Sequence, residues 1–146
     1  MGFMSDPIIR AQASDYRRFQ LCEALTYEDD FWGRITVKPG ASTDGASIPR
    51  LLWTLVGSPL SDSRVLRAAI IHDQLYCTLG LDGKLSRESC DAVFKRALIA
   101  AGVPKYRSCI YWAGVRTGGW VGWRNYAKHP SRVREQLAFI EWSSNE

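Results

Sequence analysis

The chain has 146 residues, 46% hydrophobic and 23% charged, with six Trp, six Tyr and five Phe, which is apolar mass enough for one buried core and excludes a disordered chain. No twenty-residue apolar run occurs, so a membrane-spanning helix is excluded. The net charge of +4 is unevenly spread: ten basic residues face twelve acidic ones from Met1 to Asp91, whereas Ala92 to Arg134 carries nine basic residues and no acidic one.

Near the N-terminus, Asp6, Arg10, Asp15 and Arg17 fall where a signal peptide needs an unbroken apolar stretch, so the expected location is the cytoplasm of the producing cell. From Phe19 to Lys38 apolar residues alternate loosely (Leu21, Leu25, Tyr27), and the β-branched run Ile35-Thr36-Val37 precedes Pro39-Gly40. This pattern predicts two or three short strands ending in a turn. The small, polar segment Ala41 to Arg50, closed by a proline, predicts an ordered loop of the kind that carries sites.

Ser61 or Asp62 can cap a helix over SRVLRAAIIHDQLYCTL that stops at Gly80, and Ser86 can cap a second over RESCDAVFKRALIAA that stops at Gly102. A third helical segment begins near Lys105, with Gly114, Gly118 and Gly122 forming a smooth stripe for close packing. After the break at Lys128 to Ser131, RVREQLAFIEW reads as a terminal amphipathic helix. The expected fold is therefore α+β and mainly α, a single domain over residues 1–146 with short N-terminal strands or a hairpin followed by three to four packed helices.

The chemistry concentrates on the first two helices. Val65, Ala68, Ala69, His72, Tyr76 and Leu79 recur at three- and four-residue steps, as do Asp91, Phe94, Leu98 and Ala101, which turns His72 and Asp91 toward the same core. An unpaired buried carboxylate is costly, so the two are driven together. A carboxylate on one imidazole nitrogen leaves the other to take a proton from water, as a general base does. Tyr76, one turn later, can bond the same aspartate. Asp73 lies about 100° around the helix, toward whatever the preceding loop brings, and its carboxylate with backbone carbonyls from a glycine-containing loop, Asp44 and Gly45 being candidates, is oxygen chemistry suited to Ca²⁺. The competing reading is a polar network that only locks the two helices together.

Other chemistry is poorly supported. Cys22, Cys77, Cys90 and Cys109 lack metal-site spacing and read as free thiols, Ser47 lacks the strand-turn-helix setting of a nucleophile, and His129 beside Pro130 reads as an exposed loop residue. The basic stretch is interleaved with Tyr106, Tyr111, Trp112, Trp120, Trp123 and Tyr126. That mixture suits a surface touching anionic lipid head groups or nucleic acid, or a solvated basic face over an aromatic core, and no nucleic-acid-binding motif accompanies it.

The motifs T-D-G-A-S-I-P-R (Thr43 to Arg50), H-D-Q-L-Y (His72 to Tyr76), S-R-E-S-C-D-A-V-F (Ser86 to Phe94) and A-G-V-P (Ala101 to Pro104) resemble, in this order, the phage and bacterial family called domain of unknown function 1353, over roughly Ile35 to Trp123. That resemblance implies a phage or prophage origin, hence the host cytoplasm or the virion, and does not itself imply an activity. H-D-Q-L-Y followed by an inward aspartate is also similar to the two-helix core of phospholipase A2 enzymes. By that resemblance His72 activates water, Asp91 orients it with Tyr76 in support, and Asp73 binds calcium. The upstream calcium loop would fall at Thr43 to Ala46 or Val56 to Pro59, although neither is glycine-rich as the enzymes' loop is.

Two readings follow. One is a calcium-dependent hydrolase acting on phospholipid at an anionic surface. The other is a phage virion or tail protein, contacting other phage proteins through its basic aromatic half, in which the same residues are a buried network.

Overall fold

A computed structural model describes residues 2–4, 7, 9–12, 15–43 and 62–145. The expected α+β, mainly α, architecture is what forms. The strands are β1 (Gly2–Phe3), β2 (Ile9–Gln12), β3 (Asp15–Leu21), β4 (Leu25–Asp29), β5 (Gly33–Val37), β6 (Ser42–Thr43) and β7 (Ile140–Ser143). They make an antiparallel sheet in the order β1-β4-β5-β7 and a three-stranded sheet in the order β2-β3-β6.

In the β4–β5 hairpin Leu25 pairs with Val37 and Tyr27 with Ile35, and all four are buried. Period-two alternation thus puts one face of the hairpin onto the helices. At its turn the buried Asp29 accepts hydrogen bonds from the Tyr27 hydroxyl and from the backbone N–H groups of Phe31 and Trp32. It also accepts two from the Arg96 guanidinium, at 2.9 and 3.0 Å, which clamps the sheet to a helix.

Helix α1 (Ser63–Cys77) is capped by Asp62, whose carboxylate accepts the Arg64 N–H. It is buried round most of its circumference rather than along one stripe, because helices and the sheet cover it from several sides. Helix α2 (Arg87–Ala100) is capped by Ser86. Arg64 reaches the carbonyl of Gly102, while Tyr76 at the other end of α1 meets Arg87, so the two helices run antiparallel.

The connection between them departs from a simple glycine stop. Leu79, Gly80, Leu81, Asp82 and Gly83 all have positive φ, forming one left-handed turn over Leu79–Gly83. Ordinary residues adopt that conformation at about 1–2 kcal/mol each. Thr78 holds it from below, donating its hydroxyl to Gln74 O and accepting the Leu81 N–H. At Gly80 a Cβ would lie 1.8 Å from Leu85 O, so only glycine fits.

The third helical segment divides into α3 (Lys105–Gly118) and α4 (Trp120–Ala127). The expected glycine stripe does not form: Gly114 is buried, but Gly122 faces open space. The close approach is at Gly119 instead, where a Cβ would lie 2.6 Å from the Tyr76 hydroxyl. The C-terminal segment is also corrected. Helix α5 (Pro130–Leu137) stops early, and Ile140 and Trp142 pair with Val37 and Ile35 as strand β7, because the open edge of β5 supplies backbone partners and an apolar face.

Gly80→Ala is expected to lower unfolding free energy by more than about 2 kcal/mol, combining the left-handed conformation with a backbone clash. Urea denaturation of purified variant and parent measures it.

Candidate active site

Asp91 organises the site. It projects from the first turns of α2 and is fully buried. Its Oδ1 accepts hydrogen bonds from His72 Nε2 at 2.8 Å and from the Tyr76 hydroxyl at 2.5 Å, both on α1. Its Oδ2 accepts from Arg116 Nη1 of α3 at 2.8 Å and faces Arg87 Nη1, one turn earlier on α2, at 3.5 Å. Arg87 is itself anchored by donating to the carbonyls of Val115 and Arg116 at the end of α3. Three helices therefore meet on one carboxylate, and Gly119 leaves the room that the Tyr76 hydroxyl needs to reach it.

The imidazole of His72 is fully buried, with the Tyr76 ring 4.2 Å and the Phe94 ring 4.6 Å away between centroids. Burial pushes its pKa below the usual histidine value, and this outweighs the opposing pull of Asp91. Burial also works to raise the pKa of Asp91, but the hydrogen bonds from His72, Tyr76 and Arg116 hold it below the ordinary carboxylate range. The pair is thus neutral imidazole and carboxylate. An ionised carboxylate only accepts, so the imidazole proton sits on Nε2 and the basic lone pair on Nδ1. That Nδ1 atom is buried and, among the described residues, has no hydrogen-bond partner.

Burial and its contact with Asp91 raise the Tyr76 pKa, which keeps the phenol protonated and donating. Chemically, the cluster can hold one imidazole in a fixed tautomer and accept a proton at Nδ1. Its formal charge is +1, from two arginines, one carboxylate and a neutral histidine.

Of the residues expected to matter, the structure brings together His72, Asp91 and Tyr76. Asp73 follows His72 on α1 and is half-buried. Asp44 and Gly45, the other proposed calcium ligands, lie outside the described residues, as do Ser47 and the rest of the 44–61 segment. Among the described residues no cluster of three metal-ligating side chains occurs. His129 is exposed as expected, and its Nδ1 pairs with Asn125 O. All four cysteines are free, and Cys77 and Cys90 are buried. Burial pushes the Cys90 thiol up to about 12, far from a nucleophile.

Arg87 and Arg116 were not anticipated. Arg87 stands four residues before Asp91, a spacing that pairs charges on a helix, and could have been read from that alone. Arg116 is 25 residues away and carries no local signal.

The buried neutral histidine has a pH signature. Because its folded pKa lies below the ordinary value of 6.5, only the unfolded chain takes up the proton as pH falls through that value. Stability should be unaffected by His72 well above 6.5 and decline below it by up to about 1.4 kcal/mol per pH unit, until the folded-state pKa is reached. Urea denaturation between neutral and mildly acidic pH should show this slope, and His72→Gln should remove it.

The sequence profile of a family described as "Protein of unknown function (DUF1353)" matches residues 19–115. This range holds His72, Tyr76, Arg87 and Asp91 and stops one residue short of Arg116. An uncharacterised protein, y4jT, from Sinorhizobium fredii (strain NBRC 101917 / NGR234) is 29% identical over 96 residues, 65% of this chain and 27% of its own length. The chain thus spans about a quarter of that relative. No solved structure matches the chain. With the profile covering the sheet hairpin, both site helices and most of α3, the chain belongs to the DUF1353 family.

Proposed function

We propose that the protein is a hydrolase of the phospholipase A2 kind, in which His72 activates water for attack on a phospholipid ester. One observation carries this reading: Asp91 fixes the proton of His72 on Nε2, and the opposite nitrogen is buried and, among the described residues, without a hydrogen-bond partner. An unpaired buried polar atom costs about 1–3 kcal/mol, and a proton-accepting role for Nδ1 would account for that cost.

In the proposed reaction Nδ1 takes a proton from water as the water oxygen bonds to the ester carbonyl carbon. The same nitrogen then returns the proton to the departing alkoxide as the ester C–O bond breaks, so the imidazole ends neutral. Asp91 and Tyr76 orient the ring, and Asp91 offsets the positive charge on His72 while it holds the proton. Asp73 would hold a calcium ion, which would supply charge stabilisation at the carbonyl oxygen.

The complete burial of His72 and Asp91, and the four donors around Asp91, favour a second reading, a structural phage protein in which the cluster fastens α1, α2 and α3. The two readings separate on one substitution. The Gln side chain in His72→Gln can still donate to Asp91 but cannot act as a base.

Fatty-acid release from phosphatidylglycerol liposomes, with calcium and with chelator, is the test. The hydrolase reading expects release by the parent protein and a loss of about 100-fold or more in His72→Gln, with the circular dichroism spectrum unchanged. No release from folded parent protein, with or without calcium, would leave the structural reading standing.

A further inference from the structure

Helix α4 contributes no buried residue. Its inner side rests on the candidate site through Trp123, whose ring stands edge-on to Tyr76 with centroids 5.2 Å apart. Its outer side carries Trp120, 47% exposed, and Val121, 57% exposed. Arg124 and Lys128 are exposed beside them. Trp120, Arg124 and Lys128 follow at four-residue steps and so form one ridge, and the Arg124 guanidinium stands 5.6 Å from the Trp120 ring centroid. The following helix adds exposed Arg132 and Arg134.

Two features of this face select its partner. No acidic residue occurs between Ala92 and Arg134, so the ridge and its flank complement a negative surface. The exposed apolar pair joins an indole, which prefers the boundary between water and hydrocarbon, to an aliphatic side chain. A polyanion such as nucleic acid would satisfy the cations and stack on Trp120 but would offer nothing to Val121. A bilayer with anionic head groups satisfies both.

We infer that the outer face of α4 docks on anionic lipid bilayers, with Trp120 and Val121 at the acyl boundary and Arg124 and Lys128 among the head groups. This deepens the hydrolase reading, since Trp123 ties the docking helix to Tyr76, but the docking stands on exposure and charge and does not require turnover.

The test is flotation of the full chain with vesicles of phosphatidylcholine alone or mixed with phosphatidylglycerol. The inference expects binding to the mixed vesicles that weakens with added salt, and at least about a tenfold loss of partitioning in Arg124→Glu and in Trp120→Ser. Both substitutions lie on the surface and should leave the thermal unfolding midpoint unchanged. His72→Gln should bind as the parent does.

Absence of binding, equal binding to neutral vesicles, or binding untouched by both substitutions would overturn the inference. So would tighter, equally substitution-sensitive binding to a DNA oligonucleotide, or a dimer in solution that Trp120→Ser dissociates while vesicles are ignored. Binding without fatty-acid release would sink the hydrolase reading alone. Hydrolysis of a soluble short-chain ester without vesicle binding would sink the docking alone.

Discussion

A carboxylate with no exposure to water must be neutralised where it stands, and Asp91 is neutralised by groups from three helices. Breaking such a cluster from one side leaves an uncompensated buried charge, at a cost of about 3–5 kcal/mol. The positions of α1, α2 and α3 are therefore mutually dependent. The antiparallel return of α2 brings Asp91 beside His72 and Tyr76, the end of α3 delivers Arg116, and its carbonyls anchor Arg87. A second buried carboxylate, Asp29, does the same for the sheet, tying the β4–β5 turn to Arg96 on α2. Helix α2 is thus held by an ion pair toward each end, with the apolar Val93, Phe94, Ala97 and Leu98 buried in the same helix.

The unusual backbone lies where this arrangement demands it. The left-handed turn over Leu79–Gly83 connects α1 to the cap of α2 in few residues, and the Leu85 N–H bonds to Gly80 O across it. Gly119 serves a different need, since any side chain there would occupy the space of the Tyr76 hydroxyl. Both glycines shape the surroundings of Asp91 without touching it.

For the proposed chemistry, the arginines act in two directions. They keep Asp91 ionised, which fixes the His72 tautomer, but they also spend much of the carboxylate's negative potential, and Arg87 further disfavours a charged imidazole. The result is a histidine that is neutral and directed rather than strongly basic. Helix α4 meets this cluster through the contact of Trp123 with Tyr76.

Much of this was legible in the chain. Three- and four-residue spacing placed His72, Tyr76 and Asp91 on inward faces, cap residues at Ser61 or Asp62 and at Ser86 marked where the two helices begin, and loose alternation marked short strands between Phe19 and Lys38. These are local signals, set by helical and strand periodicity and by backbone donors that a nearby side chain must satisfy. Tertiary structure alone decided the rest. IEWS became a strand because the edge of β5, a hundred residues earlier, was open to it. Gly119, rather than the glycine stripe, became the close contact because a tyrosine of another helix needed the space. Arg116 joined Asp91 because an ionised carboxylate in the core draws a cation from whichever element packs against it, and no spacing within the sequence records that requirement.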